Sequence, residues 1–93
     1  PYIGILYNQQ LIRYGNEVFV GAVVSELDPD GSAVEVLEPG DIIIEVEDQG
    51  LDERAFADII QRQEIGDFIE FEVIRDNDRV IELVEVIERE EAQ

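Results

Sequence analysis

The stretch that most limits how this chain can fold is Leu37-Glu38-Pro39-Gly40-Asp41-Ile42-Ile43-Ile44-Glu45-Val46. Proline presets φ and glycine adopts backbone angles that other residues resist, so Pro39-Gly40-Asp41 reads as a turn. Three isoleucines follow it directly. A β-branched run bounded by a turn reads as a strand buried on both faces, and this run is too short for a buried helix. A strand covered on both faces, from Asp41 to about Glu47, needs the rest of the chain as its neighbours.

Those neighbours can be read on either side. Pro1-Tyr2-Ile3-Gly4-Ile5-Leu6-Tyr7 is apolar with one internal glycine, the mark of a bulge or a close backbone approach. Asn8-Gln9-Gln10 interrupts the run, and Leu11 to Asn16 reads as a loop ending in a Gly15-Asn16 turn. Val18 to Leu27 is a second apolar strand. Asp28-Pro29-Asp30-Gly31-Ser32 is a turn cluster, in which Ser32 or Asp30 can cap a short helix over Ala33 to Leu37. Asp48-Gln49-Gly50 is a further turn.

Phe56, Ile59, Ile60 and Gln63 then recur at helical spacing. Asp52 stands as N-cap, Glu53 in the first turn and Gly66 just past the end, which predicts a long helix from Glu53 to Gln63. Phe68 to Ile74 alternates apolar and acidic residues as a half-exposed strand does. Asp76-Asn77-Asp78 supplies a hairpin turn and Val80 to Ile87 the returning strand. Leu83 and Val84 are adjacent, so they cannot both face one core. Residues 88–93 read as a frayed tail or linker.

Ninety-three residues, 45% of them hydrophobic, make one globular domain over 1–93. Twenty-four acids face six arginines, for a net charge of -18, and lysine, histidine and cysteine are absent. Such a chain repels nucleic acid and anionic lipid, both of which need clustered basic residues. No apolar run is long enough to span a bilayer, so this segment is not expected to insert into a membrane. The acid excess itself reads first as solubility or adaptation to salt, with an acidic binding face as the alternative.

Catalysis is tested by elimination. The serines are Ser25 and Ser32, and no histidine, cysteine or lysine exists to activate them. Carboxylate pairs remain, but a glycosidase-like pair needs a cleft that a domain of this size seldom forms. The domain is therefore not expected to be an enzyme. Asp28-Pro29-Asp30-Gly31 and Asp76-Asn77-Asp78 offer oxygen ligands, yet neither matches the twelve-residue calcium loop. Both read as turn chemistry. No glycine-rich phosphate motif occurs, and no metal or cofactor is expected.

One recurring small-domain function survives: adding a peptide strand to an open sheet margin. It requires an edge strand beside a helix, and free backbone amides to hold a carboxylate. Tyr2-Ile3-Gly4-Ile5 offers a glycine-bearing strand start. The helix after Asp52 has more apolar residues than one core face requires.

Taken together, the chain resembles a PDZ domain of the bacterial type found in HtrA-like serine proteases. The resemblance spans nearly its whole length. Pro1-Tyr2-Ile3-Gly4-Ile5 is similar to the family's carboxylate-binding loop and groove strand. Gly21 to Leu27 is similar to the strand that precedes the family's conserved turn, and Asp30-Gly31-Ser32-Ala33 to its Gly-Ser-Pro-Ala turn and helix start. Leu37-Glu38-Pro39-Gly40-Asp41-Ile42-Ile43 is the most specific match. Phe56 and Ile60 fall where the groove-side helix carries its apolar pair.

The resemblance implies an α+β, PDZ-like fold: a partly open antiparallel β-sandwich or barrel of five to six strands, capped by one long and one short helix. It implies that the amides of Ile3, Gly4 and Ile5 hold a peptide C-terminus, and that Ile3 to Tyr7, Leu6 included, pair with the peptide. Tyr2, Ile5, Ala57 and Ile60 would line the pocket for the last side chain, with Glu53 near the next positions. The implied role is regulatory or substrate-presenting, within a larger HtrA-like protease whose protease domain lies in the same parent chain. The partners would be peptide or protein C-termini, and the compartment periplasmic or extracytoplasmic. A scaffold module without a protease, or a closed-groove structural or oligomerisation domain, are the alternatives.

Overall fold

The triple isoleucine lies in the middle of a single sheet. A computed structural model describes residues 1–88. In it β1 (Ile5–Tyr14) and β2 (Glu17–Leu27) form a hairpin, followed by a 3₁₀ turn (Ala33–Glu35) and β3 (Ile42–Val46). Then come β4 (Gln49–Gly50), α1 (Phe56–Gln61), β5 (Phe68–Arg75) and β6 (Asp78–Glu85). The strand order is β1-β2-β3-β5-β6, every pair antiparallel, with β4 a short partner of β3. The sheet is open: among the described strands, β1 and β6 each leave one margin unpaired.

The main core forms under one face of the sheet. Ile43 and Val46 of β3 meet Ile69, Phe71 and Val73 of β5, Ala22 and Val24 of β2, and Val84 of β6. Ile3, Ala33, Leu37 and Leu51 close it from the loops, and Phe56, Ile59 and Ile60 from α1. A register shift between Ile43 and Glu45 displaces Ile44 from the ladder. Ile44 is buried yet lies outside the main cluster.

Asp41 anchors this arrangement. Its side chain is 3% exposed and is held by Arg75, whose Nε donates to Oδ1 at 2.9 Å and Nη2 to Oδ2 at 2.7 Å. The Glu38 N–H donates to the same carboxylate at 2.9 Å, and Arg75 Nη2 also donates to the Val36 carbonyl at 3.0 Å. One side chain at the end of β5 thus ties the Pro39-Gly40 turn to the 3₁₀ segment. Bidentate guanidinium–carboxylate geometry fixes both partners in angle as well as distance.

β2 pairs with β3 only at Ala22–Ile43 and Val23–Ile42. Gly21 permits a close pass there: a Cβ on it would lie 2.6 Å from Ile12 and 2.8 Å from Ile42. Beyond that point the β1–β2 hairpin leaves β3 and is caught by the β5–β6 hairpin. The Tyr14 hydroxyl donates to the Asn77 carbonyl at 2.6 Å. Arg79 lies 5.3 Å over the Phe19 ring and 3.7 Å from Glu17. A cation over an aromatic face stabilises by about 0.5–1 kcal/mol at such sites.

Several expectations need correction. β1 is not broken by Asn8-Gln9-Gln10; it runs unbroken to Tyr14, because ladder pairing with Glu17–Leu27 outweighs the polar side chains, which simply face solvent. The turn after β3 is Glu47-Asp48, both at positive φ, while Gln49-Gly50 form β4. Two consecutive positive-φ residues suit the right-handed twist of a tight hairpin. β6 spans Asp78–Glu85 rather than 80–87. The short helix is a 3₁₀ turn, and Ser32 does not cap it; its hydroxyl donates to the Glu85 carbonyl.

The expected long helix is the largest revision. α1 covers only Phe56–Gln61, its N-cap is Ala55 in extended conformation, and no side chain caps it. Leu51 is buried in the core, and the Glu53 and Arg54 N–H groups both donate to the Gly50 carbonyl. This turn commits residues 51–54 to a loop, so Asp52 cannot serve as N-cap. The apolar spacing of Phe56, Ile59 and Ile60 holds, because those three side chains enter the core. Within the expected tail, Glu88 is exposed and residues 89–93 lie outside the described part.

Asp41→Ala is expected to destabilise the fold by about 3 kcal/mol, the scale of leaving one member of a largely buried pair unpartnered. Urea titration reads this directly. The double variant Asp41→Ala/Arg75→Leu should recover part of the loss, and strictly additive effects would show that the two residues act independently.

A second test uses the carboxyl pair on the opposite face. A hydrogen bond to Glu72, burial and the Glu72 charge raise the Glu45 pKa above 4.5, while Arg79 and then Glu45 lower that of Glu72. A carboxyl whose folded pKa is raised gains stability for the fold as pH falls from that value to 4.5. Glu72 works the other way: its contribution is present above the ordinary value and is lost as pH falls through the lowered one. Glu45→Gln is therefore expected to stabilise at pH 7 by a few tenths of a kcal/mol, roughly the scale of an exposed pair. The gain should vanish in melts near pH 4, and a gain independent of pH would contradict the raised Glu45 pKa.

Candidate functional site

The site is assembled around the first residues of the chain. Tyr2 forms a reciprocal bridge with Ile87, its N–H donating to the Ile87 carbonyl at 2.9 Å and its carbonyl accepting from the Ile87 N–H at 3.0 Å. The next two carbonyls are also committed. Ile3 accepts from the Ala33 N–H at 2.9 Å and Gly4 from the Asp28 N–H at 3.0 Å. Every carbonyl from Tyr2 to Gly4 is thereby turned into the protein.

The matching N–H groups are not. Among the described residues, no hydrogen bond takes up the N–H of Ile3 or Gly4. The bond from Asp28 to Gly4 makes Ile5–Leu27 a non-hydrogen-bonded pair of the ladder, so the Ile5 N–H points away from β2. Three consecutive amides are therefore free of internal acceptors or directed outward. Ile3 is only 3% exposed. A polar group in so buried a residue ordinarily finds a partner, and leaving one unmade costs about 1–3 kcal/mol.

Two glycines make this loop possible. Gly4 has φ +83°, and a Cβ on it would lie 2.9 Å from the Asp28 Cβ and 3.0 Å from the Gly31 Cα. Gly31 presses from beneath, where a Cβ would meet the Ile3 carbonyl oxygen at 2.5 Å. The turn carrying Gly31 is itself braced. The Asp30 N–H donates to the Asp28 carboxylate at 2.9 Å, the Gly31 N–H to the Asp28 carbonyl at 2.9 Å, and the Tyr2 hydroxyl to Asp28. The acidic turn that composition offered as a metal ligand is thus occupied in holding up the loop.

From this loop β1 runs outward with its far margin facing α1. At the loop end, Gln61 Nε2 donates to the Pro1 carbonyl at 3.3 Å. Further out, the Tyr7 ring meets Phe56 edge-on, centroids 4.8 Å apart. Strand and helix therefore run in opposite directions along a shared seam. Ile5 and Tyr7 turn their side chains to the core side, and Leu6 to the other face.

The residues singled out from sequence are distributed as follows. Ile3, Gly4 and Ile5 form the amide row. Ile5 is half-buried against the core and Ile60 is buried within it. Ala57 is exposed, one helical turn before Gln61 and hence on the flank that reaches Pro1. Tyr2 is half-buried with its hydroxyl on Asp28. Leu6 instead borders a hollow of about 610 Å³ on the β2 side, with Tyr2, Gly4, Leu27 and Pro29 and without any α1 residue. Glu53 is exposed in the loop before α1 and borders the same hollow as Leu11. Sequence reasoning missed Tyr7 as a seam residue and Gly31 as a buttress. The Asp-Pro-Asp-Gly turn was a readable signal for Gly31, but nothing in the sequence said what it would touch.

Both hydroxyls that elimination considered are engaged with backbone. Ser25 Oγ donates to the Leu6 carbonyl at 3.1 Å, and Ser32 Oγ to that of Glu85. Among the described residues no group of three acidic side chains converges as a metal site.

No protein-family model matches the chain, and no curated protein does. Solved structures do. The HtrA-type protease AlgW with a decapeptide superposes at TM-score 0.70 with 24% identity, over 98% of this chain and 30% of that one. The S227A form of AlgW with a decapeptide gives 0.70 and 24%, over 96% and 29%. This chain thus spans less than a third of the length of those proteins. The likeness establishes the fold: a small open antiparallel sheet with one short helix, PDZ-like in its arrangement.

Gly31→Ala is expected to cost about 1–3 kcal/mol, the scale of forcing atoms into a closed contact. It should also shift the amide resonances of Ile3 and Gly4. Gly40→Ala is the control, since Gly40 has φ +95° but open space around its Cα. It should cost about 1 kcal/mol of backbone strain and leave those resonances in place. Equal spectra for both variants would remove Gly31 from under the loop.

Proposed function

We propose that this chain is a PDZ domain that captures the C-terminus of a peptide, serving a larger HtrA-like protease as a regulatory or substrate-presenting module. The single observation that carries the reading is the row of amides at Ile3, Gly4 and Ile5, two without an internal acceptor and the third aimed outward. Successive N–H groups around a positive-φ residue form an anion-binding nest. A terminal carboxylate supplies the acceptors they lack.

The rest of the peptide then adds to β1. Its backbone pairs with the unpaired margin, and its last side chain enters the seam between Ile5 and the Ala57–Gln61 flank of α1. Alternation carries the side chain two residues upstream toward Tyr7 and Phe56, an aromatic pair that favours an apolar or aromatic partner. Tyr2 contributes through the loop, by clamping Asp28, rather than as a wall of the seam. Glu53 lies further along the peptide than the positions next to its end.

The likeness to AlgW, solved with a decapeptide, supports a peptide-binding role, and the span of under a third of that protein supports a module within a longer chain. The domain does no chemistry of its own on this reading, and both serine hydroxyls are held by backbone carbonyls. The long-range repulsion between the net charge of -18 and a carboxylate is screened beyond roughly 8–10 Å at physiological salt.

Fluorescence polarisation with matched peptides tests the proposal. A labelled peptide with a free carboxylate is expected to bind, and the same peptide amidated to lose at least tenfold, about 1.4 kcal/mol. Gly4→Val should abolish binding of the free acid while the variant's circular dichroism stays native. Equal affinity for acid and amide would refute carboxylate capture.

A further inference from the structure

The margin of β1 is longer than the capture of a chain end requires. β1 continues to Tyr14, and Tyr7, Gln9 and Leu11 share one face of it with their backbone groups turned to the open side. Leu11 lies six residues past Ile5, about 20 Å at roughly 3.4 Å per residue. The surroundings change over that distance: Gln61 at the loop before the strand, Phe56 at Tyr7, and at Leu11 a hollow that the Leu51–Glu53 loop also borders.

That last segment borders a hollow of about 370 Å³. Leu11, Val18, Val20 and Leu51 give it apolar walls, and Leu11 is 76% and Val18 60% exposed. Two bared aliphatic side chains on one face, beside a cavity and next to an unpaired strand margin, are more than scattered surface residues. The rim is acidic, from Asp48, Asp52 and Glu53. The ion pairs of the described residues all involve Arg75 or Arg79, and none includes these three carboxylates.

We propose that this hollow is a distal subsite for an arginine or lysine of the same peptide, about six residues upstream of its C-terminal carboxylate. The inference rests on the peptide-binding reading above. A long basic side chain matches both features: its methylene stem lies on apolar walls while its head reaches a charged rim. The register follows from pairing. With the last peptide residue opposite Ile5, the residue two upstream faces Tyr7, and the residue six upstream faces Leu11 on the same side of the strand.

The test uses ten-residue free-carboxylate peptides, otherwise uncharged, with one arginine scanned from three to nine positions upstream of the end. A four-residue peptide with the same terminus serves as the short reference. Polarisation is expected to show at least fivefold tighter binding when the arginine stands five to seven positions upstream. Asp48→Asn/Glu53→Gln should remove that gain and leave the four-residue peptide unaffected. Glu70→Gln/Glu85→Gln removes the same charge from exposed positions on β5 and β6 and should leave the gain intact. A gain independent of arginine position, or lost equally in both double variants, would reduce the effect to net charge and overturn the subsite. If instead amidating the four-residue peptide leaves its affinity unchanged, it is carboxylate capture that fails, whatever the arginine profile.

Discussion

The contact on which the rest of the structure depends is the clasp between Arg75 and Asp41. It joins the end of β5 to the turn that launches β3, and through the Val36 carbonyl it reaches the 3₁₀ segment. That segment supplies the Ala33 N–H to the Ile3 carbonyl. Fixing one carboxylate therefore sets the position of the residues that turn the first loop's carbonyls inward. The loop's amides are left outward as a by-product. A buried ion pair stabilises little in net terms, because desolvation offsets the attraction. Its geometry is what this fold draws on.

The open margin of β1 carries a standing hazard. An unpaired strand margin invites pairing with another copy, and the acid load works against that encounter. With a net charge of -18, two such domains repel one another. The same composition that first reads as solubility thus also guards an exposed sheet margin against self-association.

Much of this was legible in residue patterns, and the failures have identifiable causes. Pro39-Gly40-Asp41 followed by three isoleucines gave the central strand because turn chemistry and β-branching agree there. Tyr2-Ile3-Gly4-Ile5 marked the loop because a glycine inside an apolar strand start needs a reason. The long helix failed at Leu51. That residue's burial and the turn bonds to Gly50 override good capping residues at Asp52 and Glu53. Asn8-Gln9-Gln10 misled because polar side chains are no obstacle to a strand with solvent on its faces. Tyr7 against Phe56 and Gly31 under Ile3 are contacts between segments distant in sequence, which local pattern does not encode.

The bridge between Tyr2 and Ile87 has a mechanical consequence. Only two hydrogen bonds join these residues, and they face each other across antiparallel backbones. Tension applied at those two points would peel them apart one after the other, as a zipper opens, rather than shear them together. What comes free first is the chain end before Ile3, while the Ile3 and Gly4 carbonyls keep their bonds to Ala33 and Asp28 and the clasp at Arg75 stays loaded but closed. A pull on this domain would loosen its first residues well before it unravelled the sheet.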